Sequence, residues 1–218
     1  MQIKAVIFDF DQVLIDSYKD HLDAFLLAAK KFRIKLNKEE IYKGFGKSAK
    51  ELVKSQHPEL PEKFLEKFVM EKEKIYREIL KKRGAKLMKG AREILKFLKK
   101  RKIKIALSSS ASRKNINLSF KVLKIRKYFD VVVASEDVKK HKPNPEPLLK
   151  AAKRLRVNPK NCIYLGDSIY EMMAAKRAKM AAIGILSGIY TIKDLQKYKP
   201  LKIVKNLLEA KNFLEKIL

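Results

Sequence analysis

The stretch Lys4-Ala5-Val6-Ile7-Phe8-Asp9-Phe10-Asp11 constrains this chain more than any other. A short, continuous apolar run of Val, Ile and Phe reads as a strand buried on both faces, as in a parallel sheet. The run ends in two carboxylates, Asp9 and Asp11. Residues i and i+2 of a strand point the same way, so the two leave the strand end together. Like charges at the carboxyl edge of a buried strand repel each other and lose hydration. They belong there when a cation or a catalytic task holds them.

The rest of the chain supplies the remaining layers. Its 218 residues, 46% of them hydrophobic, suffice for one large domain or for a domain carrying a smaller insert. No apolar run approaches the roughly 20 residues that span a bilayer, so no membrane association is expected. Cys162 is the only cysteine, which leaves no intrachain disulfide and fits a cytoplasmic setting. As a residue just ahead of a strand, it reads as a small core filler.

The formal net charge is +28. A charge of that size can attract nucleic acid or anionic metabolites. Lys and Arg are, however, spread along nearly every predicted helix and often mixed with Glu, as in Glu71-Lys72-Glu73-Lys74. There is no basic tail and no nucleic-acid motif. Solvated helix faces account for the charge, and nucleic acid is not the expected partner beyond weak, sequence-independent retention.

From Ser17 to about Arg83 the pattern turns helical. Apolar residues recur through Leu22–Ala29, again through Ile41, Leu52 and Val53, and a third time from Phe64 to Leu80. Pro58 and Pro61 separate the second and third helices. Residues 17–83 therefore read as an all-helical inserted cap, and 1–16 with 84–218 as a second domain. In that domain strands are expected over 102–107, 131–134, 162–165, 181–186 and 201–204, alternating with helices. Such alternation predicts an α/β fold, a doubly wound, Rossmann-like parallel sheet. Ligands of such sheets bind outside the carboxyl ends of the strands. Asp9 and Asp11, Ser109 and Ser110, Lys142 in the loop Lys140–Pro147, and Asp167 all follow apolar runs. They should converge on one crevice.

Asp9-Phe10-Asp11-Gln12-Val13-Leu14-Ile15-Asp16 resembles the DxDGTLxD signature of the haloacid dehalogenase-like hydrolases. The later motifs of that superfamily match Ser109 (with Ser108 as fallback), Lys142 ahead of a Pro-rich turn, and Gly166-Asp167-Ser168-Ile169-Tyr170-Glu171. The chain is similar to its phosphoglycolate phosphatase and β-phosphoglucomutase branch. Two departures stand out: Gln12-Val13 replaces Gly-Thr, and Glu171 replaces Asp.

The resemblance implies a magnesium-dependent phosphatase acting on a small phosphorylated metabolite. Asp9 is then the nucleophile and Asp11 the general acid and base. Ser109, Ser110 and Lys142 bind the phosphoryl group, and Mg2+ sits on Asp9, Asp11, Asp167 and Glu171. It further implies that Lys47, in Gly44-Phe45-Gly46-Lys47, and His21 reach substrate from the cap, although a solvated turn and a buried structural histidine fit those residues as well. A phosphosugar mutase using the same phospho-aspartate is the alternative, and a basic nucleic-acid-binding protein a third reading. The mutases typically carry an acidic residue before the fourth-motif Asp, where this chain has Gly166. The identity of the substrate and the oligomeric state are left open.

Overall fold

The computed structural model describes residues 2–218. It divides into two compact units, Ser17–Ala85 and a second made of the residues up to Asp16 with Lys86–Leu218. Strand β1 (Ala5–Phe8) opens the second unit. The chain then enters the helical unit through α1 (Tyr18–Phe32), α2 (Lys38–Lys43), α3 (Ala49–Gln56) and α4 (Glu62–Arg83).

The helical unit holds four helices where the sequence pattern suggests three. The middle segment breaks at Gly44-Phe45-Gly46, and Ser48 restarts it with a capping box: its hydroxyl accepts from the Glu51 N–H while the Glu51 carboxylate accepts from the Ser48 N–H. Local capping chemistry thus overrides an apolar repeat that reads as continuous. Phe25, Ala28, Ile41, Leu52, Leu65 and Phe68 form the unit's core, and Phe32 meets Phe64 and Phe68 edge to face.

In the second unit follow α5 (Ala91–Lys100), β2 (Lys104–Ser108), α6 (Arg113–Leu123), β3 (Val131–Val133), α7 (Glu146–Leu155) and β4 (Cys162–Gly166). The chain ends with α8 (Ile169–Arg177), β5 (Ala181–Ile185), α9 (Ile192–Gln196), β6 (Lys202–Val204) and α10 (Leu207–Ile217). The short α9 carries too few residues for a visible apolar period, and it rests on Leu195 alone as a buried anchor. The six strands form one parallel sheet in the order β3-β2-β1-β4-β5-β6. This is the doubly wound α/β architecture that the alternation of elements predicts.

Strand β1 is central and fully buried, which is why its sequence is an uninterrupted apolar run. Ala5 and Ile7 face a core layer with Leu148, Ala151 and Leu155 of α7 and Met172 and Ala175 of α8. Phe8 belongs to an aromatic cluster in which Phe120 stacks on Phe129 at 4.9 Å and Phe10 meets Phe120 edge to face. Cys162 is buried; burial pushes its thiol up to about 11, so it packs as an un-ionised side chain. Among the described residues, no helix is long and apolar enough to cross a membrane.

Gly90 is a position where the backbone leaves no room for a side chain. Its φ is +85, and a Cβ there would run into the backbone of Leu207 and Leu208, at 2.7 Å from the Leu207 carbonyl carbon. A left-handed L-residue costs about 1–2 kcal/mol and forced overpacking about 1–3 kcal/mol. Gly90→Ala should therefore lose roughly 2–5 kcal/mol in urea unfolding, and an unchanged midpoint would contradict the packing described.

Candidate active site

The order of the strands places the site. With β1 between β2 and β4, the direction of winding reverses beside β1, and ligand crevices open at such points. Phe8 lies in register with Leu107 on one side and Leu165 on the other. Asp9 is the next residue, its N–H donating to the Leu165 carbonyl at 2.9 Å. Gly166 ends β4, so Asp167 leaves the neighbouring strand at the same level.

Lys142 joins these ends. Its Nζ donates to Asp9 Oδ1 at 2.5 Å, to Glu171 Oε1 at 2.6 Å and to the Tyr164 hydroxyl at 3.2 Å. The Lys142 and Glu171 side chains are each only 4% exposed. Glu171 belongs to the first turn of α8, where Ser168 caps the helix. Its other oxygen, Oε2, accepts from the backbone N–H of Asp167 at 2.8 Å and of Ser168 at 3.2 Å. One carboxylate therefore fixes both the lysine and the loop that presents Asp167. Carboxylate oxygens of Asp9, Asp167 and Glu171 lie within 4.8 Å of one another, and all three residues are buried.

The charges do not balance. Burial and the Glu171 carboxylate push Asp9 well above the usual carboxylate range, against the pull of Lys142. Burial, Glu171 and Asp9 do the same to Asp167. Burial works against the Lys142 ammonium, but Asp9 and Glu171 outweigh it and hold the lysine protonated well above its ordinary value. With all three carboxylates ionised they would face one ammonium, an excess of two negative charges where water is scarce, and the upward shifts of Asp9 and Asp167 show the site resisting that state. A divalent cation would close that deficit. The donors are all oxygens, the set that suits a hard ion such as Mg2+ or Ca2+. Both Glu171 oxygens already accept hydrogen bonds, so Asp9 and Asp167 are the better-placed direct ligands.

Two glycines make room for these carboxylates. A Cβ on Gly188, in the loop after β5, would collide with Asp167 Oδ2, and one on Gly166 would collide with Glu171 Oε2 and come 2.9 Å from Tyr164 Cε1. The same β5 loop is tied to the first motif, where the Ser187 hydroxyl donates to the Gln12 carbonyl. Gln12 itself adopts φ +60, the left-handed region. That explains why the related signature has Gly at this position; Gln occupies it here, buried.

The other expected residues are placed as follows. Asp11 is half-buried on the turn after β1 and adds to the negative field that raises Asp9. Ser109 is buried at the end of β2; its Oγ accepts from the Ala111 N–H at 2.9 Å, which leaves its hydroxyl proton to be donated elsewhere. Ser108 is sealed within the sheet, and among the described residues its Oγ has no hydrogen-bond partner. Ser110 is half-buried on the same loop.

His21 and Lys47 belong to the helical unit. His21 is buried, stacked on Tyr76 at 3.8 Å, with Lys72 Nζ 2.8 Å from its Nδ1. Lys47 is exposed on the turn after α2. Tyr164, Gly188 and Lys72 escaped the sequence reading. The spacing Phe68, Lys72, Tyr76 puts Lys72 on the buried stripe of α4 and could have exposed it. Nothing local marks Tyr164 or Gly188, whose contacts come from distant strands.

The contact between Gly188 and Asp167 is testable. Gly188→Ala should displace the Asp167 carboxylate and weaken binding of Mg2+, titrated calorimetrically, by about tenfold or more. Affinity equal to wild type would show that the close approach is not needed.

Comparisons with known proteins bear on the family and the fold. The profile of the family described as haloacid dehalogenase-like hydrolase matches residues 6–185. A Clostridium perfringens protein named for the pyrophosphatase PpaX is 32% identical over 219 residues, covering 99% of each chain. A Thermotoga maritima protein named phosphorylated carbohydrates phosphatase is 29% identical over 209 residues, covering 93% of this chain and 94% of that one. Among solved structures, β-phosphoglucomutase from Clostridium difficile superposes with a TM-score of 0.85 at 27% identity, over 99% of this chain and 96% of that one. With four motifs gathered at one sheet edge and a profile match over most of its length, the chain belongs to the haloacid dehalogenase-like hydrolases.

Proposed function

We propose that this enzyme is a magnesium-dependent phosphatase that hydrolyses small phosphorylated metabolites through a phospho-aspartate on Asp9. The observation that carries the reading is the buried cluster of three carboxylates around one lysine, which would be short of two positive charges when fully ionised. Relatives named for pyrophosphatase and for a phosphatase of phosphorylated carbohydrates support the substrate class, and a cytoplasmic location goes with it.

Attack by a carboxylate on a phosphate dianion is a collision of like charges, so cations must offset the repulsion. Mg2+, held by Asp9, the Asp11 main-chain carbonyl and Asp167, would supply that positive charge and keep Asp9 ionised. Lys142 adds a fixed charge beside Asp9 Oδ1, oriented by Glu171 and Tyr164. An Asp9 oxygen attacks phosphorus, the bond to the leaving oxygen breaks, and Asp11 gives that oxygen its proton. Water then attacks the phosphoryl group and passes its proton to Asp11. The bond from phosphorus to Asp9 breaks, and inorganic phosphate leaves. The Ser109 hydroxyl, with Ser110 on the same loop, donates to the phosphoryl oxygens. In this reading substrate specificity lies with the helical unit, His21 and Lys47 included.

Likeness to β-phosphoglucomutase keeps a second reading in view. Gly166 argues against it. An acidic side chain there would meet the Glu171 carboxylate, so this chain draws its extra acid from the helix rather than from the strand end.

Asp9→Asn should lower phosphate release by about a thousandfold or more while the fold persists. Turnover near wild type would remove Asp9 from the chemistry. Ser109→Ala should cost about 10- to 100-fold, one hydrogen bond to a charged group, and Ser108→Ala almost nothing; the reverse order would move the phosphate contact to Ser108. Given β-glucose 1-phosphate, Mg2+ and a trace of the bisphosphate, the enzyme should release free phosphate. Glucose 6-phosphate accumulating faster than phosphate would establish the mutase.

A further inference from the structure

The end of the sheet opposite the active site carries a pattern that the proposed chemistry does not use. Five helix-to-strand connections reach that edge, one ahead of each of β2 to β6. Each contains a residue in the left-handed region, at φ +54 to +57: Lys102, Lys124, Arg156, Lys179 and Lys199. Glycine is the usual occupant of such positions because a Cβ is strained there. Here every one is a long cation, exposed to solvent.

A favourable interaction with the helix dipole rewards a cation near a helix end, yet it does not require that cation to take the left-handed position. Arg33 after α1 repeats the substitution within the helical unit. What distinguishes the sheet edge is convergence. The five connections together hold ten Lys and Arg and a single acid, Asp130, which Lys99 already neutralises at 2.6 Å. The connections at the catalytic edge hold six acids and four bases. Among the described residues, none of the five left-handed cations forms an ion pair with an acid. The fold thus brings ten of the chain's 52 Lys and Arg, scattered over a hundred residues of sequence, to one edge of the sheet.

Their spatial order follows the strands: Lys124, Lys102, Arg156, Lys179, Lys199. At about 4.8 Å per strand the sheet edge they border extends roughly 24 Å from β3 to β6. The aromatic side chains of these connections, Tyr128, Phe129 and Tyr198, are buried or half-buried against the core, so no platform exists for stacking unpaired bases. Exposed cations brought to one edge without aromatics suit a phosphodiester backbone rather than a base sequence. We propose that this edge is a docking surface for the backbone of a nucleic-acid duplex, without sequence preference and separate from the phosphatase centre.

The backbone geometry provides a mild test variant, because glycine fits all five left-handed positions. The quintuple variant K102G/K124G/R156G/K179G/K199G should stay folded by circular dichroism and keep wild-type phosphate release. Fluorescence anisotropy with a random-sequence duplex of about 20 base pairs, longer than the sheet edge at 3.4 Å per step, then reads the docking. The wild-type protein should bind with a log–log salt slope of about −4.5 for five phosphate contacts, losing about 500-fold in affinity between roughly 50 and 200 mM salt. The variant should bind at least about tenfold more weakly with a shallower slope. The proposal is overturned if the variant binds the duplex as tightly as wild type, if a single strand of the same length binds more tightly than the duplex, or if phosphatidylserine vesicles bind this edge and the duplex does not.

Discussion

Lys142 holds the catalytic end of this molecule together. Its ammonium reaches Asp9 from the end of β1, Glu171 from the start of α8 and Tyr164 from within β4. Buried ions are tolerated only when paired and hydrogen-bonded, and removing any of these partners would leave a desolvated charge. The lysine therefore fixes three elements in register at the place where the sheet changes its direction of winding. The pairing is incomplete, however, because Asp167 brings a third carboxylate. Stability of the fold alone does not call for that surplus. It is strain that a bound cation would relieve before an anionic phosphoryl group enters.

The two edges of the sheet have opposite electrical characters. In the connections at the carboxyl edge acids outnumber bases, and Asp9 and Asp167 among them are buried; in the connections at the amino edge exposed cations outnumber acids ten to one. A parallel sheet makes this separation possible, since every strand points the same way and every return connection arrives at the same edge. Small anionic substrates meet a site whose negative charges must first be neutralised. Large anions meet a surface that needs no such preparation.

Much of this was legible in the sequence, for identifiable reasons. The run Ala5–Phe8 is apolar without alternation because β1 is covered on both faces, and Asp9, Lys142 and Asp167 each follow a strand or occupy a loop marked by prolines. The helical segment showed its period but not its break, because the capping box at Ser48 works over three residues while periodicity is read over ten or more. Gly188 against Asp167 depends on β4 and β5 lying side by side, and Tyr164 against Lys142 on a loop from β3 reaching across the sheet edge to β4. Gln12 was visible as a departure from Gly-Thr, but its left-handed backbone was not. The basic residues of the connections could not be grouped from the sequence, since only the topology shows which turns share an edge.

The buried cluster, fully ionised, lacks two positive charges, which a divalent cation would provide. Thermal unfolding followed at increasing Mg2+ in metal-free buffer tests it directly. The account predicts saturable stabilisation of the wild-type protein, about 2.7 kcal/mol at roughly a hundred times the dissociation constant, and none for Asp167→Asn. Unfolding of the wild-type protein that is indifferent to Mg2+ would contradict it.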